Sequence, residues 1–285
     1  MKQVASLQYG VIFKKAFCDV EVFKGFVKAV LGIDLEIDVV ETEKAFNPVI
    51  GNVDLRFDLY AQDEKNRIIV DIQHKRNSDH YDRFLHYHCA AILEQVAKAE
   101  NYRPPLKVFT IVVLTSGDKH QKDVLSIDFD PKDLDGNGIN EIPHKVIYLC
   151  PKYANEKTPV AYKEWMDAIQ DTLDGQVEES NYHELLIQKI FDAIENDHVS
   201  STERARMFDE FNDEEYKQTA FAEGIEKGIE KGIEKGITKG LEQGELKAKF
   251  AIAKGMLAEG LAVEVIAKLT GLTHTEIENL QHNEA

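Results

Sequence analysis

Apolar side chains recur at three- and four-residue steps through Val11, Ile12, Phe13 and Phe17, then through Val22, Phe23, Phe26, Val27, Val30 and Leu31. This spacing predicts an opening helical stretch that Gly32 stops. Residues 33–50 read as a turn and an irregular first strand ending near Pro48. The period then falls to two. Over residues 54–60 polar and apolar positions alternate strictly, which places Asp54, Arg56, Asp58 and Tyr60 on one face of a strand. A polar turn at 63–66 leads into residues 67–73, the partner strand of a hairpin. There Ile69, Asp71, Gln73 and Lys75 share one face, and Ile68, Val70 and Ile72 the other.

Ser78 and Asp79 cap a predicted helix over residues 80–101, with an apolar stripe of Leu85, Cys89, Ile92, Val96 and Ala99. Arg103-Pro104-Pro105 ends it. Residues 107–114 form a continuous apolar run, as a buried strand does, and residues 145–149 predict another. The order is helix, three strands, helix, two strands: an α/β core with a mixed sheet. Everything beyond it reads as helix. The expected divisions are a core domain over 1–155, a helical extension over 156–220, a repeat helix over 221–245 and a small helical unit over 246–285.

The repeat is Gly-Ile-Glu-Lys. Gly224, Gly228, Gly232, Gly236, Gly240 and Gly244 recur every four residues, the first five each followed by Ile or Leu. A period of four runs about 40° ahead of each helical turn, so the Ile stripe winds slowly round the helix. Each interior Gly costs about 1 kcal/mol against Ala, which makes the helix weak alone. It is expected either to associate with another copy, giving a homo-oligomer, or to serve as a connector. After it, residues 262–280 read helix, Gly turn, Thr-capped helix, the outline of a helix-turn-helix. The second helix carries Glu276, Glu278 and Asn279 and no Arg or Lys for phosphate, so a packing or protein-interaction unit is preferred.

Composition narrows the class. The 285 residues carry 34 Lys and Arg against 51 Asp and Glu, a net charge of −17, and 43% hydrophobic residues, enough to build cores. The surplus is uneven: residues 1–150 hold 19 basic and 23 acidic side chains, so most of the excess acid lies in the helical half. No apolar run spans a bilayer, the opening residues form no secretory segment, and Cys18, Cys89 and Cys150 stand in neither disulfide nor metal spacing. A cytoplasmic protein with no membrane contact is expected.

Candidate chemistry lies in the hairpin. Asp58 and Asp71 project from adjacent strands, which lie about 4.8 Å apart. Two such carboxylates can share a cation of the Mg²⁺ class, which takes oxygen ligands. Two aspartates simply wetted on the open face of a sheet are the commoner account of the spacing alone.

The stretch from Asp58 to Glu64, with Arg67-Ile68-Ile69-Val70-Asp71-Ile72-Gln73, resembles the PD-(D/E)xK nuclease superfamily. It is more narrowly similar to the Rpn-type recombination-promoting nuclease/putative transposase family, where Gln commonly replaces the final Lys. Phe13-Lys14 in the opening helix, Arg83, Tyr87 and Gln95 on the helix after the hairpin, Tyr102 at its close, and the Gly-Ile-Glu tail fall in the expected order. The resemblance implies a restriction-endonuclease-like αβββαβ core with an all-helical C-terminal extension, and Mg²⁺- or Mn²⁺-dependent cleavage of DNA. By that resemblance Asp58 and Asp71 are the metal ligands and Gln73 completes the catalytic set. Gln95 and Tyr87 are possible accessories. Two departures stand out: Asp71 replaces the more frequent Glu, and Gly10 stands near where an Asp would precede the Phe-Lys pair.

Lys75 is a candidate for the positive charge that Gln73 lacks, and Arg56, Arg76 and Arg83 for weak DNA contacts. The expected function is a metal-dependent DNA endonuclease. A catalytically degenerate scaffold working through protein association is the alternative, and RNA as substrate is left open.

Overall fold

The computed structural model describes residues 1–46, 55–74, 80–96 and 103–282. They divide into two compact units, Met1–Glu214 and Glu215–Ala285.

In the first unit β1 (Lys2–Gln3) precedes α1 (Gly10–Phe17) and α2 (Val20–Leu31). The opening helical stretch is therefore two helices. Asp19 makes the break: its carboxylate accepts the N–H groups of Glu21 and Val22 and caps α2, while Gly32, at φ 69°, closes it. Next come β2 (Glu41–Phe46), β3 (Leu55–Gln62), β4 (Asn66–Gln73), α3 (His80–Val96), β5 (Lys107–Leu114), β6 (Val124–Asp128) and β7 (Lys145–Leu149). α4 (Val160–Asp171), β8 (Gln176–Val177), α5 (Leu185–Ala193) and α6 (Ser201–Ala258) follow.

Six strands form one mixed sheet in the order β2-β3-β4-β5-β7-β6. β2, β3 and β4 run antiparallel in turn, whereas β4, β5 and β7 are parallel neighbours. The hairpin turn is fixed by Asp63, whose Oδ1 accepts the N–H groups of Lys65 and Asn66 at 2.8 and 2.6 Å. β6 is an added edge strand that the sequence pattern leaves out, because its partly exposed side chains carry no strong alternation.

α1 and α2 cover one face. Val11, Ile12, Phe13, Phe17, Phe23 and Phe26 meet Leu59, Ile68, Val70, Ile111 and Val113 there. Trp165 and Met166 of α4, with Ile187, Ile190 and Phe191 of α5, join that same core. Helices α4 and α5, which lie beyond residue 155, therefore share one core with α1 and α2.

α3 covers the opposite face of the sheet. Its buried residues are Phe84, Tyr87, His88, Ala91 and Gln95. This corrects the expected stripe, since Leu85, Cys89 and Ile92 are only half-buried. Two polar members disguised the true face. His88 shares a 2.9 Å hydrogen bond with Thr110, and Gln95 is tied to backbone. Burial pushes the His88 imidazole down to about 3, so it stays neutral in the core.

In the second unit, α7 (Val263–Thr270) and α8 (His274–His282) pack on the last turns of α6. Ala253, Ile266, Leu272 and Ile277 are its buried residues. Gly271, at φ 73°, turns the chain between the two short helices, and Thr273 caps α8 by exchanging hydrogen bonds with Glu276.

Candidate active site

Of the β3 residues, Asp58 alone has no partner in either neighbouring ladder. On one side Glu43, which would face it, adopts φ 54° and drops out of register. On the other, pairing with β4 stops at Leu59 and Val70. The strands part there, and the carboxylates take over the missing hydrogen bonds. The Asp58 N–H donates to Asp71 Oδ1 at 3.3 Å, and the Ile72 N–H donates to Asp58 Oδ2 at 3.1 Å. Alternation breaks with the ladder: Phe57 and Tyr60, three residues apart, both pack on the α3 side.

Asp71 is 4% exposed and Gln73 9%. Asp71 Oδ2 and Gln73 Oε1 are buried without a hydrogen-bond partner among the described residues. Burial, and then the neighbouring Asp58 charge, hold the Asp71 carboxyl well above the usual carboxylate range. Burial also raises Asp58, against the Ile72 N–H and the charges of Lys14 and Arg83. A buried acid pair with an orphaned oxygen is a poor structural element, because each carboxylate raises the cost of ionising the other.

Two cations face the pair. Lys14 Nζ, on α1, lies 3.7 Å from Asp58 Oδ1 and 2.9 Å from Glu43 Oε1. Arg83, on α3, lies across the rings of Phe84 and Tyr87, and its Nε donates to the Tyr87 hydroxyl at 3.2 Å. The Tyr87 ring is wedged against Phe57 and Phe84. Tyr87 therefore holds Arg83 in place.

The other candidates divide. Arg56 is exposed, and its charge reaches Glu43. Lys75, Arg76 and Tyr102 lie outside the described residues. Gln95 is placed away from the pair: its Nε2 donates to the Ala91 carbonyl and its Oε1 accepts the Leu106 N–H. Leu106 immediately precedes β5, whose first residue, Lys107, pairs with Asn66, five residues before Asp71 on β4. Gln95 thus links α3 to the residue before β5 by hydrogen bonds.

One neighbour was missed. Glu210, on α6, accepts the N–H groups of Gly10 and Val11 at 2.8 and 3.2 Å and stands close enough to Asp58 for their charges to interact. No local pattern announces a contact across 200 residues. Only the spacing of Glu203, Arg206, Met207 and Glu210, one face of a helix, offered a sign.

The family model for PD-(D/E)XK nuclease family transposases matches residues 12–220. The chain belongs to this family. A second model, described as the C-terminal helix-turn-helix domain of the Rpn/YhgA-like nuclease family, matches residues 246–282. No curated protein and no solved structure gives a match. As a PD-(D/E)XK nuclease family member the protein has a nuclease-type function, that of an enzyme acting on nucleic acid. The second match corrects the preference for a mere packing unit: α7, the Gly271 turn and α8 fall within a helix-turn-helix domain. No described helix is long and apolar enough to cross a membrane.

The donor set fits a divalent cation of the Mg²⁺ class. Every donor offered is an oxygen, two of them buried and unpartnered. Among the described residues no three His, Cys, Asp or Glu side chains group to hold a metal. The fit is therefore to an ion that keeps much of its water, as Mg²⁺ does.

Proposed function

We propose that the protein is a Mg²⁺- or Mn²⁺-dependent DNA endonuclease that hydrolyses phosphodiester bonds with Asp58, Asp71 and Gln73. The orphaned Oδ2 of Asp71, buried beside Asp58, carries this reading. Asp58 and Asp71 would hold the ion; when bound, it activates water and neutralises charge on the phosphate. Gln73 orients the attacking water through Oε1, and its amide N–H groups can donate to a phosphate oxygen. Arg83, fixed by Tyr87, and Lys14 offset the developing negative charge from either side. DNA is favoured over RNA by the transposase family and its helix-turn-helix domain.

The basic residues near the site are few, so binding should be weak and fall steeply with salt. Supercoiled plasmid is nicked by wild type with Mg²⁺, and EDTA or Asp58→Asn stops the reaction. Equal nicking by the variant assigns the activity to a contaminant. A folded but inert wild type leaves the degenerate scaffold. Cleavage of RNA alone moves the substrate class.

The repeat helix supports association with a second copy. Ile225, Ile229, Ile233, Ile237 and Leu241 are all large, apolar and exposed. No atom approaches the six intervening glycines, which leaves room for a close partner backbone. Full-length protein carrying Ile229→Glu and Ile233→Glu is expected to lose mass in light scattering relative to wild type. An unchanged mass denies the stripe an oligomeric role.

A further inference from the structure

α6 reaches the catalytic face through one side. Glu203 pairs with Lys15 at 3.0 Å, Met207 packs on the α1 core, and Glu210 holds the first two N–H groups of α1. The Arg206 charge is felt at Glu43, which itself grips Lys14. The outer side of Glu210 stays open to solvent while its carboxylate head rests on α1. Both oxygens of that head have N–H donors, but a carboxylate oxygen has a second lone pair to offer.

Gly10 separates Glu210 from Asp58. A Cβ at position 10 would stand 3.8 Å from Glu210 Oε1 and 4.0 Å from Asp58 Oδ1. Any longer side chain would push between the two carboxylates. The glycine thus puts no side chain between Glu210 and Asp58, next to the pair that contains the buried, unpartnered Asp71 Oδ2. Asp58 and Asp71 alone are a thin ligand set, so a bound ion would keep several waters. Those waters need acceptors, and Glu210 beside Gly10 is one.

We infer that Glu210 is a positioning residue of the nuclease site, accepting hydrogen bonds from the hydration shell of the divalent ion that Asp58 and Asp71 bind. The inference rests on the cation reading above and assigns α6 a direct part in the site. A carboxylate placed instead at position 10 would take the same place from α1.

Mn²⁺ binding to the full-length protein, followed by titration calorimetry, tests this alongside plasmid nicking and thermal melting. Glu210→Gln keeps an acceptor for α1, so melting should change little. Its Mn²⁺ dissociation constant should rise about tenfold, the usual effect of removing an outer-shell partner. Nicking should fall in kcat while KM for DNA stays. Gly10→Asp combined with Glu210→Ala should recover part of the Mn²⁺ affinity that Glu210→Ala loses. Wild-type Mn²⁺ affinity and kcat in Glu210→Gln would reduce the residue to a helix cap and overturn the inference. Wild type that binds no Mn²⁺, like Asp71→Asn, would overturn the cation reading and this inference with it.

Discussion

Asp71→Asn melts higher than wild type in metal-free buffer at neutral pH and loses nicking by about 10³-fold. Both effects follow from one buried carboxyl. The folded protein holds the Asp71 proton to higher pH than the unfolded chain does, because burial and Asp58 oppose its ionisation. Stability therefore declines as pH rises from the ordinary carboxylate range toward the raised folded value, and above that value the whole loss has been taken. Asparagine has no proton to lose. The gap in melting temperature should vanish in acid and open on the way to neutrality, by about 2–4 °C for each kcal/mol recovered in a domain of this size. On the proposed cation site Mg²⁺ should reverse the order, stabilising wild type by binding only the folded form and leaving the variant untouched. The kinetic loss reflects the several kcal/mol that a cation supplies to transition-state charge, at tenfold per 1.36 kcal/mol. A variant that melts lower than wild type at every pH would sink this account.

Arg67→Met should be the most damaging substitution away from the carboxylates, costing about 3 kcal/mol, as loss of one partner from a buried ion pair does. Arg67 is 6% exposed. Its Nη1 donates to the Ala91 carbonyl at 2.7 Å and to Glu94 at 2.9 Å, while Nε and Nη2 donate to Gln62 Oε1. The guanidinium also lies over the rings of Phe46 and Tyr60. It thereby joins β2, β3 and α3, the three elements around the parted strands. Methionine matches the stem but takes a charged donor away from the Ala91 carbonyl, from the Glu94 carboxylate and from Gln62 Oε1. Urea titration should show the midpoint falling with an unchanged slope. Since α3 carries Arg83 and Tyr87, nicking should fail at temperatures where the wild type still works.

Much of this was legible beforehand. The period-two stretches and the polar turn located the hairpin, and the run from Lys107 to Leu114 located the central strand. Asp71 and Gln73 are buried in a strand whose Ile68, Val70 and Ile72 pack into the core under α1, as the alternation of those apolar positions suggested. Alternation grouped Asp58 with Tyr60 but could not show that the ladder and the alternation both fail there, because a hydrogen bond from side chain to backbone leaves no periodic trace. The face of α3 was misread by one position because its inward residues include polar ones, His88 bonded to Thr110 and Gln95 to backbone. Glu210 escaped notice because tertiary proximity between residues 10 and 210 has no signal in one sequence.

The exchange of N–H donors between Asp58 and Asp71 has an implication for how such a site decays. While both acids stand, they keep the strands apart and occupy the donors that would otherwise zip the hairpin. Once either is lost, a stranded amide favours closure of the sheet over the opening. Erosion is then self-sealing. A descendant that had shed the pair would carry an unbroken hairpin, with nowhere for a later carboxylate to be reinstalled by a single substitution.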